Sequence, residues 1–202
     1  MNRRLFALGG MLVWAIAAPL AGAGAPGHAA ADEVELFNRK DLTGWVPVND
    51  GKYDVKDGTI VIEGGNGWLR TEKEYGDFDL SLEWRADAKY RDSGQYDSGL
   101  FFRSGLEGKP WPKVRYQFGM KQRAEGDLPG IVKGGRPDLV KPPGEWNHYR
   151  VKVQGTNAEG FINGTSVWKT DKIKHPKGYI GLQTEGHRFE FRNIKLAPPG
   201  AS

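Results

Sequence analysis

The chain has 202 residues, no cysteine and a formal net charge of +4. Setting aside Arg3 and Arg4, which stand in the first 31 residues with no acid beside them, leaves 27 basic against 25 acidic residues, a balance too even to draw the chain to nucleic acid or an anionic membrane. The lack of cysteine excludes disulfides, thiolate metal ligands and a lipid-modified cysteine, so the fold must be held by its core.

Residues 1–31 have the pattern of a cleaved export signal: Met1-Asn2-Arg3-Arg4 is positive, Leu5 to about Ala25 is apolar and small, and Ala29-Ala30-Ala31 is a small-residue cleavage site. The expected mature protein is therefore periplasmic or extracellular and leaves the membrane once the signal is cut. The Arg3-Arg4 pair is compatible with either a general or a twin-arginine signal. One domain is expected over 32–197, with a short tail over 198–202.

From Val34 onward the sequence reads as short strands separated by turns. Val34–Asn38 predicts a first strand, and the turn Asp41–Trp45 delivers Trp45 inward. Asp57-Gly58 joins Tyr53–Lys56 to Thr59–Glu63, and Asn163-Gly164 joins Ala158–Ile162 to Thr165–Trp168, both hairpin dipeptides suited to positive φ. Trp68–Thr71 follows a glycine-rich turn. In Tyr75–Arg85 the residues Phe78, Leu80, Leu82 and Trp84 share one face, with Asp77, Asp79, Ser81, Glu83 and Arg85 on the other; this period of two predicts one buried and one solvated face. Asp87–Tyr96 is a polar loop. Leu100–Arg103 and Lys113–Met120 read as two strands, with a loop between them that carries Trp111 between two prolines. Arg123–Glu145 is a long glycine- and proline-rich loop expected to cover one side of a site. Trp146–Val153, Gly178–Thr184 and Arg188–Leu196 complete the strands. Trp45, Trp68, Trp84 and Trp146 are expected in the core. With no repeat and no strand–helix alternation, the class is all-β, a sandwich of two antiparallel sheets.

Common catalytic patterns are missing. There is no phosphate-binding glycine loop and no Gly-x-Ser-x-Gly turn. His148, His175 and His187 have no metal-ligand spacing, while a divalent ion held by Asp and Glu oxygens stays open. The acids around Asp77–Glu83 do not have the spacing of the paired carboxylates on one strand that hydrolyse ordinary polysaccharides on jelly-rolls.

Five pieces in order are similar to the 3-keto-disaccharide hydrolase (3-keto-glucoside lyase/hydratase) domain: Phe37–Trp45, Trp68–Thr71 with Tyr75–Phe78, Ser98–Arg103, Pro143–Asn147, and Gly178–Gln183 with Phe189–Ile194. The resemblance covers about residues 35–196. It implies a concanavalin A-like jelly-roll and action on sugars oxidised at C3. A C3 ketone acidifies the C2 hydrogen, so a base can remove it, the C1 substituent leaves, and water adds later. On this reading Arg103 steadies the carbonyl or enolate, Glu185 is the base and His187 the acid. Gln117, Lys121, Gln183 and Tyr116 bind the small carbohydrate ligand, and Trp111 stacks on a sugar face. A divalent cation could replace Arg103 at the enolate. Two positions depart from the family pattern. Gln117 stands where many members have glutamate, and Gly181–Gly186 carries Glu185 where many have histidine, with His187 one place beyond the glycine. These departures keep a second expectation open, a non-catalytic carbohydrate-binding module, and a third, an envelope protein whose face is filled by Arg123–Glu145.

Overall fold

The computed structural model describes residues 33–133 and 135–200; the export signal expected over 1–31 lies outside the described residues. Among the described residues thirteen strands follow in order: β1 Val34–Glu35, β2 Trp45–Asn49, β3 Lys52–Lys56, β4 Thr59–Gly64, β5 Asn66–Tyr75, β6 Phe78–Ala86, β7 Gly99–Ser104, β8 Tyr116–Gly119, β9 Asn147–Gln154, β10 Asn157–Ile162, β11 Thr165–Thr170, β12 Gly178–Glu185 and β13 Phe189–Ala197. One α-helical turn, Tyr90–Ser93, interrupts the polar loop after β6, and one 3-10 turn, Pro137–Leu139, the long loop before β9.

All strand pairs are antiparallel, and they form two sheets. The larger runs β11-β10-β9-β6-β13-β4-β3 with β1 added beside β13; the smaller runs β2-β5-β12-β7-β8. The arrangement is the sandwich of two antiparallel sheets that the strand pattern predicts, and the jelly-roll that the resemblance implies. Its core is the inward face of both sheets. Phe78, Leu80, Leu82 and Trp84 of β6 are all buried, as their alternation requires, together with Ile180 and Leu182 of β12 and Phe189 and Phe191 of β13. Fully burying each large apolar side chain is worth roughly 1.5–3 kcal/mol. Both hairpin dipeptides adopt left-handed backbone, with Asp57 and Gly58 at φ 50° and 70° and Asn163 and Gly164 at 48° and 85°. Trp45 is buried, and its indole donates to the Leu36 carbonyl at 2.8 Å.

Several expectations change. The strand expected over Lys113–Met120 is only Tyr116–Gly119. Trp146 is not in the core: it lies half-exposed between two guanidinium groups, with Arg192 3.9 Å and Arg85 4.6 Å from its ring centre. Those arginines also hold Glu83 and Glu190 on the outer face of the large sheet. The carboxylates of β6 thus belong to a surface ion-pair lattice, in which Arg150 meets Asp79 through two bonds of 2.7 and 2.6 Å.

Arg103 is the largest correction. Alternation along β7 would put it on the outer face beside Phe101. However, β7 carries an extra residue between Phe101 and Ser104 relative to β12, and Arg103 has φ 45°. A bulge of this kind re-aims a side chain. The guanidinium turns into the end of the sandwich, where it is 1% exposed. It donates to the carbonyls of Gly76 (3.0 Å), Gly155 (2.7 Å) and His175 (2.9 Å) and to Asp77 (2.6 Å). Four of its five N–H groups are therefore spent on three turns, and no free donor fork is left to steady an enolate.

The described residues of the loop Arg123–Glu145 are tied down at several points. Leu128 is buried. Asn163 donates to the Leu139 carbonyl at 2.7 Å, and Asn147 accepts the Lys141 N–H at 2.8 Å. Glu125 is 2% exposed and accepts a very short hydrogen bond from the Tyr96 hydroxyl. Burial pushes the Glu125 carboxyl above the ordinary glutamate range, against the opposing pull of that bond.

Two predictions follow from these anchors. Arg103→Lys removes the planar fork and strands three carbonyls, so urea unfolding should show a loss of about 2–4 kcal/mol; a stability change within about 0.5 kcal/mol, the usual range for an inert surface change, would contradict the anchoring role. For Glu125 the raised folded-state pKa makes its contribution greatest below the unfolded carboxyl pKa and diminishes it as pH rises toward the folded value. Glu125→Gln keeps an acceptor for Tyr96 but cannot ionise. Its melting temperature should therefore fall less than the wild type's as pH rises from about 4.5, and parallel curves would contradict this.

Candidate active site

The outer face of the small sheet is set by the same alternation that builds the core. Leu69, Leu100, Leu182 and Phe118 point inward, so their neighbours Trp68, Gly99, Phe101, Gln117, Gln183 and Glu185 lie on the opposite face. Trp68 and Phe101 are buried there and meet edge-on at 5.9 Å. They close over Gly181, where a Cβ would fall 2.4 Å from the Trp68 ring. Trp68 thus packs, as expected, but outside the sandwich core.

A row of polar groups crosses three strands beside this cluster. Gln117 of β8 donates from Nε2 to Gln183 Oε1 of β12 at 2.8 Å, and Gln183 Nε2 donates to Glu185 Oε2 at 2.8 Å. The row passes over Gly99 of β7. A Cβ on Gly99 would lie 2.8 Å from Gln117 Cγ and 3.0 Å from Gln183 Oε1, so only glycine leaves room for both amides. Ser98 fastens the strands beneath by donating to the Gln183 carbonyl at 2.8 Å.

The row ends in a cleft of about 340 Å³ lined by Gln95, Tyr96, Asp97, Lys121, Gln122, Glu185 and His187. Glu185 is half-buried. Desolvation first, and then the charge of Asp97, raises its pKa above the ordinary glutamate value; Lys121, Arg115 and the Gln183 hydrogen bond pull the other way. Lys121 pairs with Asp97 at 3.1 Å, and that carboxylate holds its ammonium pKa above the usual lysine value. His187 Nδ1 is buried without a hydrogen-bond partner, and its ring meets Tyr90 edge-on at 5.5 Å. The cleft therefore offers a carboxylate of raised basicity, a cation and an imidazole around one volume. That set suits removal of an acidic C–H with charge forming on a neighbouring oxygen.

Of the residues singled out from sequence, Glu185, His187 and Lys121 line this cleft, and Gln117 and Gln183 reach it through the amide row. Trp111 is not among the residues that line the cleft. Its indole N–H donates to the Thr184 carbonyl at 3.2 Å, and Asn49 holds the neighbouring Pro110 carbonyl at 2.7 Å. Tyr116 is not part of the site. It is one residue out of phase with Gln117, so it faces inward, stacks on Phe102 at 5.5 Å and accepts the N–H groups of Lys174 and His175. Arg103 is absent for the reason given above. Sequence reasoning missed Gln95, Tyr96, Asp97 and Gln122. Asp97 adjoins the Ser98–Arg103 motif, a usable signal. The pairing of Gln122 N–H with the Tyr96 carbonyl at 3.1 Å has no local signature. The loop Arg123–Glu145 does not fill the cleft; with Tyr96 and Gln122 it borders an adjoining cavity of about 210 Å³.

A resident divalent ion does not fit the donor set. Among the described residues no three His, Cys, Asp or Glu side chains come together to hold a metal, and Asp97 already faces the ammonium of Lys121.

No curated protein matches the chain. Among solved structures, one similar chain is a protein from Parabacteroides distasonis assigned provisionally to the glycosyl hydrolases. It is 23% identical, with 82% of this chain and 93% of that one covered at a TM-score of 0.64. The carbohydrate-binding module CBM66 from Bacillus subtilis is 16% identical over 76% and 95% of the two chains, TM-score 0.61. The β-glucanase of Bacillus licheniformis is 13% identical over 85% and 99%, TM-score 0.57. At these identities the likenesses establish the shared sandwich alone. The family model of the 3-keto-α-glucoside-1,2-lyase-like domain matches residues 32–197. The chain therefore belongs to that family, and its role is carbohydrate-related.

Proposed function

We propose that the protein cleaves glycosides whose sugar carries a ketone at C3, by elimination and then hydration, in the cleft around Glu185. The observation that carries this reading is a half-buried carboxylate of raised pKa, held by Gln183 and facing Lys121, in a chain of this family. Glu185 removes the C2 proton. The electron pair of that bond forms the C1–C2 double bond as the C1–O bond breaks, and the C3 carbonyl oxygen carries the negative charge that develops before departure. Lys121 stands as the cation for that charge. His187 supplies the proton to the departing oxygen. Water then adds to C1 and gives its proton to His187, while Glu185, having exchanged its proton with solvent, protonates C2, so the net reaction is hydrolysis and C2 carries a solvent proton. Gln117 and Gln183 orient the sugar hydroxyls, and Trp111 stands where a sugar face can stack on it. The leader-like first 31 residues support action outside the cytoplasm.

The test is turnover of a 3-keto-nitrophenyl glucoside by the wild type and Glu185→Gln. The variant should lose about 10²–10⁴-fold in kcat, the usual contribution of a positioned base, and should still bind the sugar. The base must be ionised, so wild-type kcat/KM should rise with pH through a value above the ordinary glutamate pKa. Sugar binding by the wild type without turnover would reassign the cleft as a binding site, the role of a non-catalytic module.

A further inference from the structure

The amide row has a direction, and that direction constrains the protonation of its last member. Gln183 is 3% exposed and makes one bond at each end of its side-chain amide: Oε1 receives Gln117 and Nε2 gives to Glu185. An amide has one donor end and one acceptor end, so what Gln183 meets at Gln117 decides which end it shows Glu185. With its Nε2 toward Glu185, the Glu185 oxygen at that contact can only accept, which favours the ionised form. With the amide turned round, Oε1 would face Glu185 and require the carboxyl to carry its proton.

We propose that Gln117, by being a neutral amide rather than a carboxylate, is the positioning residue that leaves Glu185 able to act as a base. Gln117 has both a donor and an acceptor. When Glu185 is ionised, the row runs from Gln117 through Gln183 to Glu185, as the structure has it. When Glu185 holds a proton, both amides can turn, and the row runs the other way with every bond kept. The row therefore costs neither state, and Glu185 can take up and return a proton within one turnover. An ionised carboxylate at 117 has no donor. It would hold the Gln183 NH₂ toward itself, turn Oε1 toward Glu185, and bind Glu185 in its protonated, non-basic form. The floor under the row reinforces this: Gly99 brings both amides against the backbone, which confines them to the line between positions 117 and 185. Asp97 before β7, Arg115 before β8 and Lys121 after it act on Glu185 by their charge, and Tyr96 before β7 and His187 beyond β12 line the same cleft. None of them lies in the row, so they set a background that substitutions at 117 leave in place.

The inference deepens the reading of Glu185 as the base, and it is tested without turnover. The titration of the Glu185 carboxyl is followed by carbon-13 NMR in the full chain, assigned with Glu185→Gln. Gln117→Glu should raise the Glu185 midpoint by about one pH unit or more, a tenfold change in its ionisation constant. Gln117→Met, which cannot impose a direction, should move it far less. A charge at 117 could also act through space, so the same Gln117→Glu change is made in a Gln183→Met background. There the shift should shrink to a small fraction of its former size, because the amide that transmits it is gone. An unchanged midpoint in Gln117→Glu overturns the proposal, as does a shift of equal size with Gln183 replaced. Because the readout is the carboxyl itself, absence of turnover on 3-keto-glycosides would refute the functional reading and leave this result standing.

Discussion

A single buried guanidinium holds one end of the sandwich. Arg103 leaves β7 through a bulge and a left-handed backbone, and its four bonds reach the β5–β6 turn at Gly76 and Asp77, the β9–β10 turn at Gly155, and the β11–β12 loop at His175. Turns from both sheets are thereby fixed to one strand. A buried charge is tolerated where its hydrogen bonds are met, and the partly exposed Asp77 adds a counter-charge that is not itself desolvated. Two results follow. The phase of β7 is set, with Leu100 and Phe102 inward and Gly99 and Phe101 outward. The basic residue most conspicuous in the sequence is also withdrawn from chemistry, leaving Lys121 as the cation of the cleft.

The opposite end of the small sheet is built for a different purpose. There the sheet surface is stripped to glycine at 99 and 181, so that polar amides lie over one position and an aromatic pair over the other. Glu185 sits where burial and Asp97 favour its neutral form while Lys121, Arg115 and Gln183 favour its charge. A carboxylate balanced in this way, its pKa raised above the ordinary glutamate value, can exchange a proton, whereas one locked in a strong ion pair is held ionised. The long loop contributes by staying in place. Glu125, Asn147 and Asn163 pin it beside the cleft, which keeps Lys121 and Gln122 at its wall.

Much of this fold is legible in the sequence because it depends on neighbours along the chain. The alternation of Phe78, Leu80, Leu82 and Trp84, and the Asp57-Gly58 and Asn163-Gly164 turns, are local physics. Gln117, Gln183 and Glu185 are legible because they alternate with core residues on paired strands, and Lys121 and His187 because they follow the ends of those same strands. Arg103 misled because one inserted residue between Phe101 and Ser104 reverses the side on which the next residue emerges, and no pattern in four residues announces a bulge. Tyr116 leaves the site because it alternates with Gln117, and adjacent strand residues face opposite ways. Trp146 leaves the core because Arg85 and Arg192, 61 and 46 residues away along the chain, close on both sides of its ring. Asp97 and Tyr96 join the site through pairings with Lys121 and Gln122 that only the folded chain brings about.

The central claim is that the C2 hydrogen of the sugar leaves and a solvent proton takes its place. It is tested most directly by running the reaction on a 3-keto-glucoside in heavy water and reading C2 of the released sugar by NMR at short times, against a control for uncatalysed exchange of the product. Elimination followed by hydration predicts one deuteron at C2 in every released sugar. Full retention of protium at C2 alongside release of the aglycone would mean direct displacement at C1, and would contradict the role assigned to Glu185.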